Sequence, residues 1–401
     1  MNDPPDSADL LSVTGEPIDL SLSNGFLAYG IVSRARDRRN ASVVALKQIR
    51  VLEHERNNGI PLTALREISI LRSLRHQNVI SVLEIAVDDK VLEDLYMVME
   101  YCEQDLASLI DEHRVHFSLG EVKCLTRQLL EGLEYLHRKD IMHSLIPDKP
   151  RDVKMENLLL TAQGVLKIAD FGMAREFAPR PLTPGVVTIW YRAPEMLLGT
   201  SHYTSSVDLW SAGLLVGELL LQTPVLNGHG DLEQLSQIVK LLGSPTTEDL
   251  LTLSSMGCPN LINWQRESMP HGRADNLERR FLSKSSKGTV AFLSGLLRWD
   301  PKARWTANEA LGKSKSKFAA AAEDWWRESP RAVQKELLPT IPSTRGGSHG
   351  DIGSHKEPKD TDSSSKRHQP HEDAPPDFGG FVFDFGHAEP VTKLPPRKRR
   401  R

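Results

Sequence analysis

His143-Ser144-Leu145-Ile146-Pro147-Asp148-Lys149-Pro150-Arg151-Asp152-Val153-Lys154-Met155-Glu156-Asn157 is the segment on which the interpretation of this 401-residue chain turns. From Asp152 onward the spacing Asp-x-Lys-x-x-Asn is continuous, and Asp170-Phe171-Gly172 begins thirteen positions after Asn157. Taking out the seven residues 144–150 would set His143 against Arg151-Asp152 and restore an unbroken His-Arg-Asp. One such triplet arises by chance; the ordered set at these spacings does not.

The order has a chemical reason. Phosphoryl transfer needs a carboxylate to hold the accepting hydroxyl, and an amide and a second carboxylate to hold magnesium over the moving phosphate. Asp152, Asn157 and Asp170 have the residue types and spacing for those roles, with Lys154 between them. Upstream, Lys47 ends Val44-Ala45-Leu46-Lys47 in a predicted strand, where a stiff backbone can aim one ammonium at nucleotide phosphates. A lone strand lysine is ordinarily a solvated surface residue. Glu67, on the helix predicted over Pro61 to Arg75, supplies the ion-pair partner that favours the functional reading. Gly25-Phe26-Leu27-Ala28-Tyr29-Gly30 keeps the outer glycines of a phosphate-covering Gly-x-Gly-x-x-Gly loop, but Leu27 takes the middle place. A side chain there holds the backbone off the phosphates, so weakened nucleotide binding is expected. No Gly-x-x-x-x-Gly-Lys-Ser/Thr occurs, which argues against a P-loop hydrolase.

Composition sets the frame. Hydrophobic residues at 39%, charged residues at 26% and a net charge of −3 describe an ordinary soluble chain with no global nucleic-acid footprint. The three cysteines, Cys102, Cys124 and Cys258, form no Cys-x-x-Cys, so neither a disulfide framework nor a zinc site is indicated. No apolar run approaches the roughly 18 residues that span a bilayer, and the acidic, proline-bearing start is unlike a signal peptide. A reducing intracellular compartment is expected, with no membrane and no direct nucleic-acid partner.

Along the chain, residues 1–18 read as a disordered polar arm. Residues 19–103 read as strands with one helix, including strands Val43 to Ile49 and Leu95 to Val98 and a helix with Leu65, Ile68, Leu71 and Leu74 on one face. Residues 104–328 read as helical, with Val122 to Arg138, Ser206 to Leu221, Leu232 to Leu242 and Val290 to Leu297 as candidates. This is an α+β pattern of two unequal lobes. Residues 340–401, rich in Ser, Gly, His, Asp, Lys and Pro, read as a disordered tail. The tail ends in the basic cluster Arg397 to Arg401, which is like a nuclear localisation signal. The expected compartment is therefore the nucleus, with the cytoplasm as a second.

With these residues assembled, the chain resembles a cyclin-dependent serine/threonine protein kinase over about residues 20–312. Pro61-Leu62-Thr63-Ala64-Leu65-Arg66-Glu67 looks like the cyclin-facing helix of the PITSLRE-type branch, joined by Thr188-Ile189-Trp190-Tyr191-Arg192-Ala193-Pro194-Glu195, Val207-Asp208-Leu209-Trp210-Ser211 and Trp299-Asp300-Pro301-Lys302-Ala303-Arg304. The resemblance implies a two-lobed kinase fold, a small β-rich N-lobe with one helix and a larger helical C-lobe, with ATP and Mg2+ between them. It implies a cyclin that sets the Glu67 helix, and protein substrates carrying Ser/Thr-Pro sites. In that scheme Asp152 orients the substrate hydroxyl, Lys154 steadies the γ-phosphate, Asn157 and Asp170 bind magnesium, and Lys47 contacts the α and β phosphates. Gly25 and Gly30 cover the phosphates. The backbone at Glu100 and Cys102 binds adenine, Met99 gates a back pocket, Asp105 lies near the ribose, and Val32, Ala45 and Leu159 sandwich the ring. Thr183 matches the activating phosphorylation site, with Arg66, Arg151 and Arg175 to gather its charge. Tyr29 matches an inhibitory phosphorylation position, and Val186, Val187 and Arg192 resemble the pocket that favours proline after the acceptor. The same scheme makes Glu195 and Arg304 the ion pair of the C-lobe and Asp208 an anchor for the catalytic loop.

Two features set a competing reading beside an active kinase. Leu27 and the 144–150 insertion would suit a catalytically impaired kinase-fold scaffold that binds a cyclin. Because deletion restores the motif, a splice boundary kept in the reading frame is an alternative origin for the seven residues; the transcript across codons 143–151 distinguishes it from a true insertion.

Overall fold

The computed structural model describes residues 7–12, 17–23, 32–37, 39–49, 68, 71–88, 95–139, 153–169, 186–200, 202–267 and 276–339. Residues 1–345 form one compact unit. Its first part is a closed six-stranded antiparallel barrel made of β1 (Ser7–Ser12), β2 (Pro17–Ser23), β3 (Val32–Asp37), β4 (Val43–Ile49), β5 (Val82–Asp88) and β6 (Leu95–Glu100). The order is β1-β2-β3-β4-β6-β5, and β1 pairs back onto β5 with Leu10 opposite Asp88 and Ser12 opposite Ala86. β4 occupies the range predicted for it, because Val43, Val44 and Ile49 are β-branched and its alternate residues face a small core of Ala35, Val44, Leu46, Ala86 and Val98. Of the helix predicted over 61–75, Ile68 and residues 71–73 are helical, with Ile68, Leu71 and Leu74 buried against the large core, while Glu67 lies outside the described residues.

Strand β1 corrects the expectation of an arm over residues 1–18. It is held by backbone pairing to β2 and β5, and such pairing requires no apolar periodicity, the signal whose absence had argued for disorder. The predicted tail, 340–401, lies outside the described residues.

The second part is helical. A three-stranded sheet, β7 (Gln104–Asp105), β8 (Leu158–Leu160) and β9 (Leu166–Ile168), borders α1 (Leu106–Asp111) and α2 (Leu119–Arg138). The remaining helices are α3 (Pro194–Leu197), α4 (Ser206–Leu221), α5 (Asp231–Leu242), α6 (Thr247–Ser255), α7 (Leu261–Glu267), α8 (Asn276–Phe281), α9 (Lys287–Leu296), α10 (Ala307–Ala310) and α11 (Lys317–Arg327). A capping box opens α2: the Ser118 N–H donates to Glu121 Oε2 at 2.6 Å and the Glu121 N–H to Ser118 Oγ at 3.4 Å. Its Val122, Leu125, Leu129, Leu133 and Leu136 recur at helical spacing and are all buried. Phe292 of α9 stacks on Trp325 of α11 at 3.9 Å between ring centroids. Lys123, fully buried on α2, donates to the Trp325 and Glu328 carbonyls at 2.7 Å each, satisfying acceptors at the C-terminal end of α11. Burial holds its pKa below the usual lysine value.

Candidate active site

Strand alternation builds one wall of the site. Because Val44 and Leu46 point into the barrel core, Ala45 and Lys47 point the other way and line a cavity of about 310 Å3. Their partners across the sheet follow them. Val32 lies opposite Lys47, and Met99 opposite Ala45, and both line the same cavity. The opposite wall comes from the small sheet, where Asp105 of β7 and Leu159 of β8 are register partners and both face the cavity. Glu100 and Cys102, at the connection between the two walls, complete it together with Asn157. Burial pushes the Cys102 thiol up to about 12, so this connection carries a neutral sulfur.

Asp105 serves two purposes. Its carboxylate caps α1, taking the Ser108 N–H at 2.8 Å and the Ser108 hydroxyl at 2.7 Å, and the helix this starts brings Ser108, Asp111 and Glu112 to the cavity at positions three and four apart. Sequence reasoning named Asp105 but missed those three, along with Ile80, Ala107, Glu156 and Ala169; the Asp-x-x-Ser cap was the available signal for the helix.

Asn157 ends a 3-10 turn over Met155–Asn157, and its carbonyl accepts the Ala169 N–H at 2.9 Å. That bond fixes the residue just before Asp170 against the end of the catalytic loop. β9 is itself pinned from behind. Asn78 Nδ2 donates to the Leu166 carbonyl at 2.9 Å and to Gln128 Oε1 at 3.1 Å, and Gln128 Oε1 also takes the Leu166 N–H at 3.0 Å. The Ile168 N–H donates to the Asn78 carbonyl and the Ile80 N–H to the Ile168 carbonyl, both at 2.9 Å. A buried network with every member paired is a stiff support.

A platform is anchored in the helical part. The 3-10 turn Val186–Tyr191 is fastened by Trp190 Nε1 to the Gly228 carbonyl at 3.1 Å, by Gln234 Nε2 to the Trp190 carbonyl at 2.8 Å, and by the Tyr191 hydroxyl to Glu218 Oε2 at 2.7 Å. Below it, Arg304 grips Glu195 through two bonds of 2.6 and 2.7 Å with both side chains fully buried, the ion pair expected from the sequence. Asp208, also fully buried, meets His137 Nε2 at 2.8 Å through Oδ2, while its Oδ1 has no partner among the described residues. The catalytic loop it was expected to anchor lies largely outside them.

Of the predicted site residues, Val32, Ala45, Lys47, Glu100, Cys102, Asp105, Asn157 and Leu159 therefore gather around one cavity. Lys154, 2% exposed, is buried one turn away and is not part of the lining. Asp152, Glu67, Asp170, Gly25, Gly30, Tyr29 and Thr183 lie outside the described residues.

Comparison with known proteins agrees with this arrangement. Residues 25–314 match the protein kinase domain family. Human cyclin-dependent kinase 10 is 41% identical over 319 residues, covering 79% of this chain and 81% of the relative, and the rat protein of the same name is 40% identical over 344 residues, covering 85% and 87%. Cyclin-dependent kinase G-2 of Oryza sativa subsp. japonica is 39% identical over 325 residues, covering 79% of this chain and 42% of that longer protein. Among solved structures, a chain of the yeast RNA Pol II CTD kinase CTDK-1 complex superposes with a TM-score of 0.64 at 32% identity, covering 84% of this chain and 99% of that one. These relatives lend no specific support to the PITSLRE-type branch read from residues 61–67, and they favour a working kinase over the scaffold alternative. A cavity between a strand wall bearing Lys47 and a loop ending in Asn157, continuous with matches of this length, establishes that the chain belongs to the protein kinase family, as a serine/threonine kinase of the cyclin-dependent type.

Proposed function

We propose that this kinase transfers the γ-phosphoryl group of ATP to serine or threonine followed by proline, that it does so with Mg2+ and under the control of a cyclin, and that it acts in the nucleus. The observation that carries the nucleotide assignment is the convergence of Lys47, from β4, and Asn157, from the turn ahead of β8, on one cavity whose walls carry Val32, Ala45 and Leu159. A slot with apolar side chains on both walls and charged and polar side chains along its rim suits a flat base with a charged tail. ATP bound there supplies the phosphoryl group. Lys47 would hold the α and β phosphates, Asn157 and Asp170 the magnesium, and Asp152 the accepting hydroxyl; Gly25 and Gly30 would cover the phosphates and Lys154 would neutralise charge on the group in transfer.

Cyclin control is supported by the names of the relatives and by the sequence of the helix bearing Glu67. Thr183 would be the activating phosphorylation site and Tyr29 an inhibitory one. Proline preference is supported by Val186, Val187 and Arg192 beside a platform that Trp190 and Tyr191 fasten to the C-lobe. The basic run Arg397 to Arg401 supports a nuclear address.

The test is phosphate transfer by the purified full chain with a cyclin, to peptides that differ only in Pro or Ala after the acceptor. Transfer to the Pro peptide should exceed that to the Ala peptide, and Asp152→Asn and Lys47→Met should each lower kcat by about 100-fold or more, the scale of removing one group that stabilises transition-state charge. Equal transfer by the native chain and Asp152→Asn would defeat the assignment, and equal use of both peptides would defeat proline direction.

A further inference from the structure

A charged pair stands at the nucleotide cavity: Glu100 lines it, and the roles assigned above use its backbone and not its carboxylate. Lys167 of β9 reaches Glu100, the last residue of β6, with Nζ 2.7 Å from Oε2 and 2.9 Å from Oε1. Glu100 Oε1 also accepts the Ser81 N–H at 2.7 Å, and the Glu100 N–H donates to the Ser81 carbonyl at 3.1 Å. The carboxylate is thus held at once by the segment entering β5 and by the strand leading to Asp170. The side chains are 10% exposed for Lys167 and 26% for Glu100, so solvent screens the pair less than one on the open surface.

The positions at the two ends give the pair its significance. Glu100 is two residues before Cys102, where the backbone would receive adenine. Lys167 is two residues before Ala169, whose N–H is fixed to Asn157 at the phosphate end. Backbone bonds already join β9 to residues 78–80 and the Ser81 carbonyl to the Glu100 N–H, so the β6 end meets β9 by way of the segment entering β5. Lys167 and Glu100 add a direct side-chain tie between the two strands.

We infer that Lys167 and Glu100 are a positioning pair that holds the base-binding backbone at a fixed offset from the strand leading to Ala169 and its bond to Asn157, so that one frame reads both ends of the nucleotide. The inference rests on the nucleotide reading above. Its signature is a loss confined to ligands long enough to touch both ends. Adenosine engages only the base end and should be indifferent to the offset, whereas Mg-ATP should not.

Calorimetric titration of the full chain with adenosine and with Mg-ATP tests it. Lys167→Met should weaken Mg-ATP by about fivefold, the scale of one partly shielded charge pair, with adenosine affinity changed by less than about twofold, and Glu100→Gln should weaken Mg-ATP to the same extent. The double variant should be no weaker than either single one, because the two side chains act as a unit. Lys167→Arg should retain Mg-ATP affinity. Should Lys167→Met fail to fold in a thermal melt, Lys167→Gln, which removes the charge and keeps a polar head, carries the same test. Unchanged Mg-ATP affinity in the single variants, equal weakening of both ligands by the uncharged Lys167 variant, additive losses in the double variant, or a Lys167→Arg as weak as Lys167→Met would each overturn the inference while leaving nucleotide binding intact. A native chain that binds neither ligand would overturn the nucleotide reading, and this inference with it.

Discussion

Folding moves the carboxyl of Glu218 into the range where cells buffer. Burial is the largest cause, the nearby carboxylates Glu156 and Asp111 add to it, the Tyr191 hydrogen bond opposes it, and the result is a pKa raised to about 7. A carboxyl whose folded pKa lies above its unfolded value stabilises the native state fully below the unfolded value, near 4.5, and loses that contribution as pH rises through about 7. The melting temperature of the native chain, compared with Glu218→Gln at each pH, should therefore fall between about pH 5 and pH 8, by the equivalent of on the order of 3 kcal/mol. A flat difference would mean that the carboxyl titrates as it does in water. The same burial governs the thiols. Cys102 is pushed up to about 12 and Cys258 to about 11, and Cys124 is raised as well, each chiefly by desolvation. At pH 8 the folded chain should take up almost no iodoacetamide by mass spectrometry, and three equivalents once unfolded. None of these shifts could be read in the sequence, because Glu218, Glu156 and Asp111 approach one another only when α1, α4 and the Met155–Asn157 turn pack together.

Helix α2 and strand β9 meet at a glycine, and that contact decides how firmly the cavity is backed. A Cβ on Gly132 would lie 2.8 Å from the Asn78 carbonyl and 2.7 Å from Ile168 Cδ1. The carbonyl has little freedom to swing away, since it accepts the Ile168 N–H. Gly132→Ala gains about 1 kcal/mol of helix propensity but incurs roughly 1–3 kcal/mol of overpacking, and the clash is with backbone, so net destabilisation of about 1 kcal/mol is expected in a denaturant titration. The buried Glu195–Arg304 pair is a larger matter: Arg304→Met leaves a carboxylate with no counter-charge in the core and should cost about 3–5 kcal/mol. Elements whose signal was local were legible in the sequence. Strand Val43–Ile49 and helix Ser206–Leu221 have the predicted ends, and α2 merely starts earlier, at the Ser118 and Glu121 box. Elements held by partners distant in sequence were not. α1 is short and depends on one capping carboxylate, and β1 depends on β5, some seventy residues away in the chain.

At the scale of the molecule, the phosphate-handling residues fall in two groups that the fold must bring into register: the strand wall with Lys47 and the loop running from Asp152 to Asn157. Both groups were legible, because each is a compact motif; the shared cavity they line was legible only through the family resemblance. The seven residues 144–150 enter just ahead of the second group. Lengthening a loop costs about 0.6 kcal/mol per doubling, whereas a misplacement of about 1 Å can reduce catalysis roughly 100-fold. Removing 144–150 should therefore leave the melting temperature nearly unchanged while raising kcat, and a deletion variant with unaltered kcat would show that the segment bulges away harmlessly. The barrel has a consequence of its own. With β1 in place every one of its six strands has a neighbour on both sides, so among the described residues the barrel presents no open sheet edge to other copies of the chain. A chain starting at residue 13 would bare the backbone of Ala86 to Asp88 on β5 and of Pro17 to Ser21 on β2, two templates for strand addition. By light scattering, such a chain should self-associate at concentrations where the full chain does not, which makes the strand Ser7–Ser12 the lobe's own guard against aggregation.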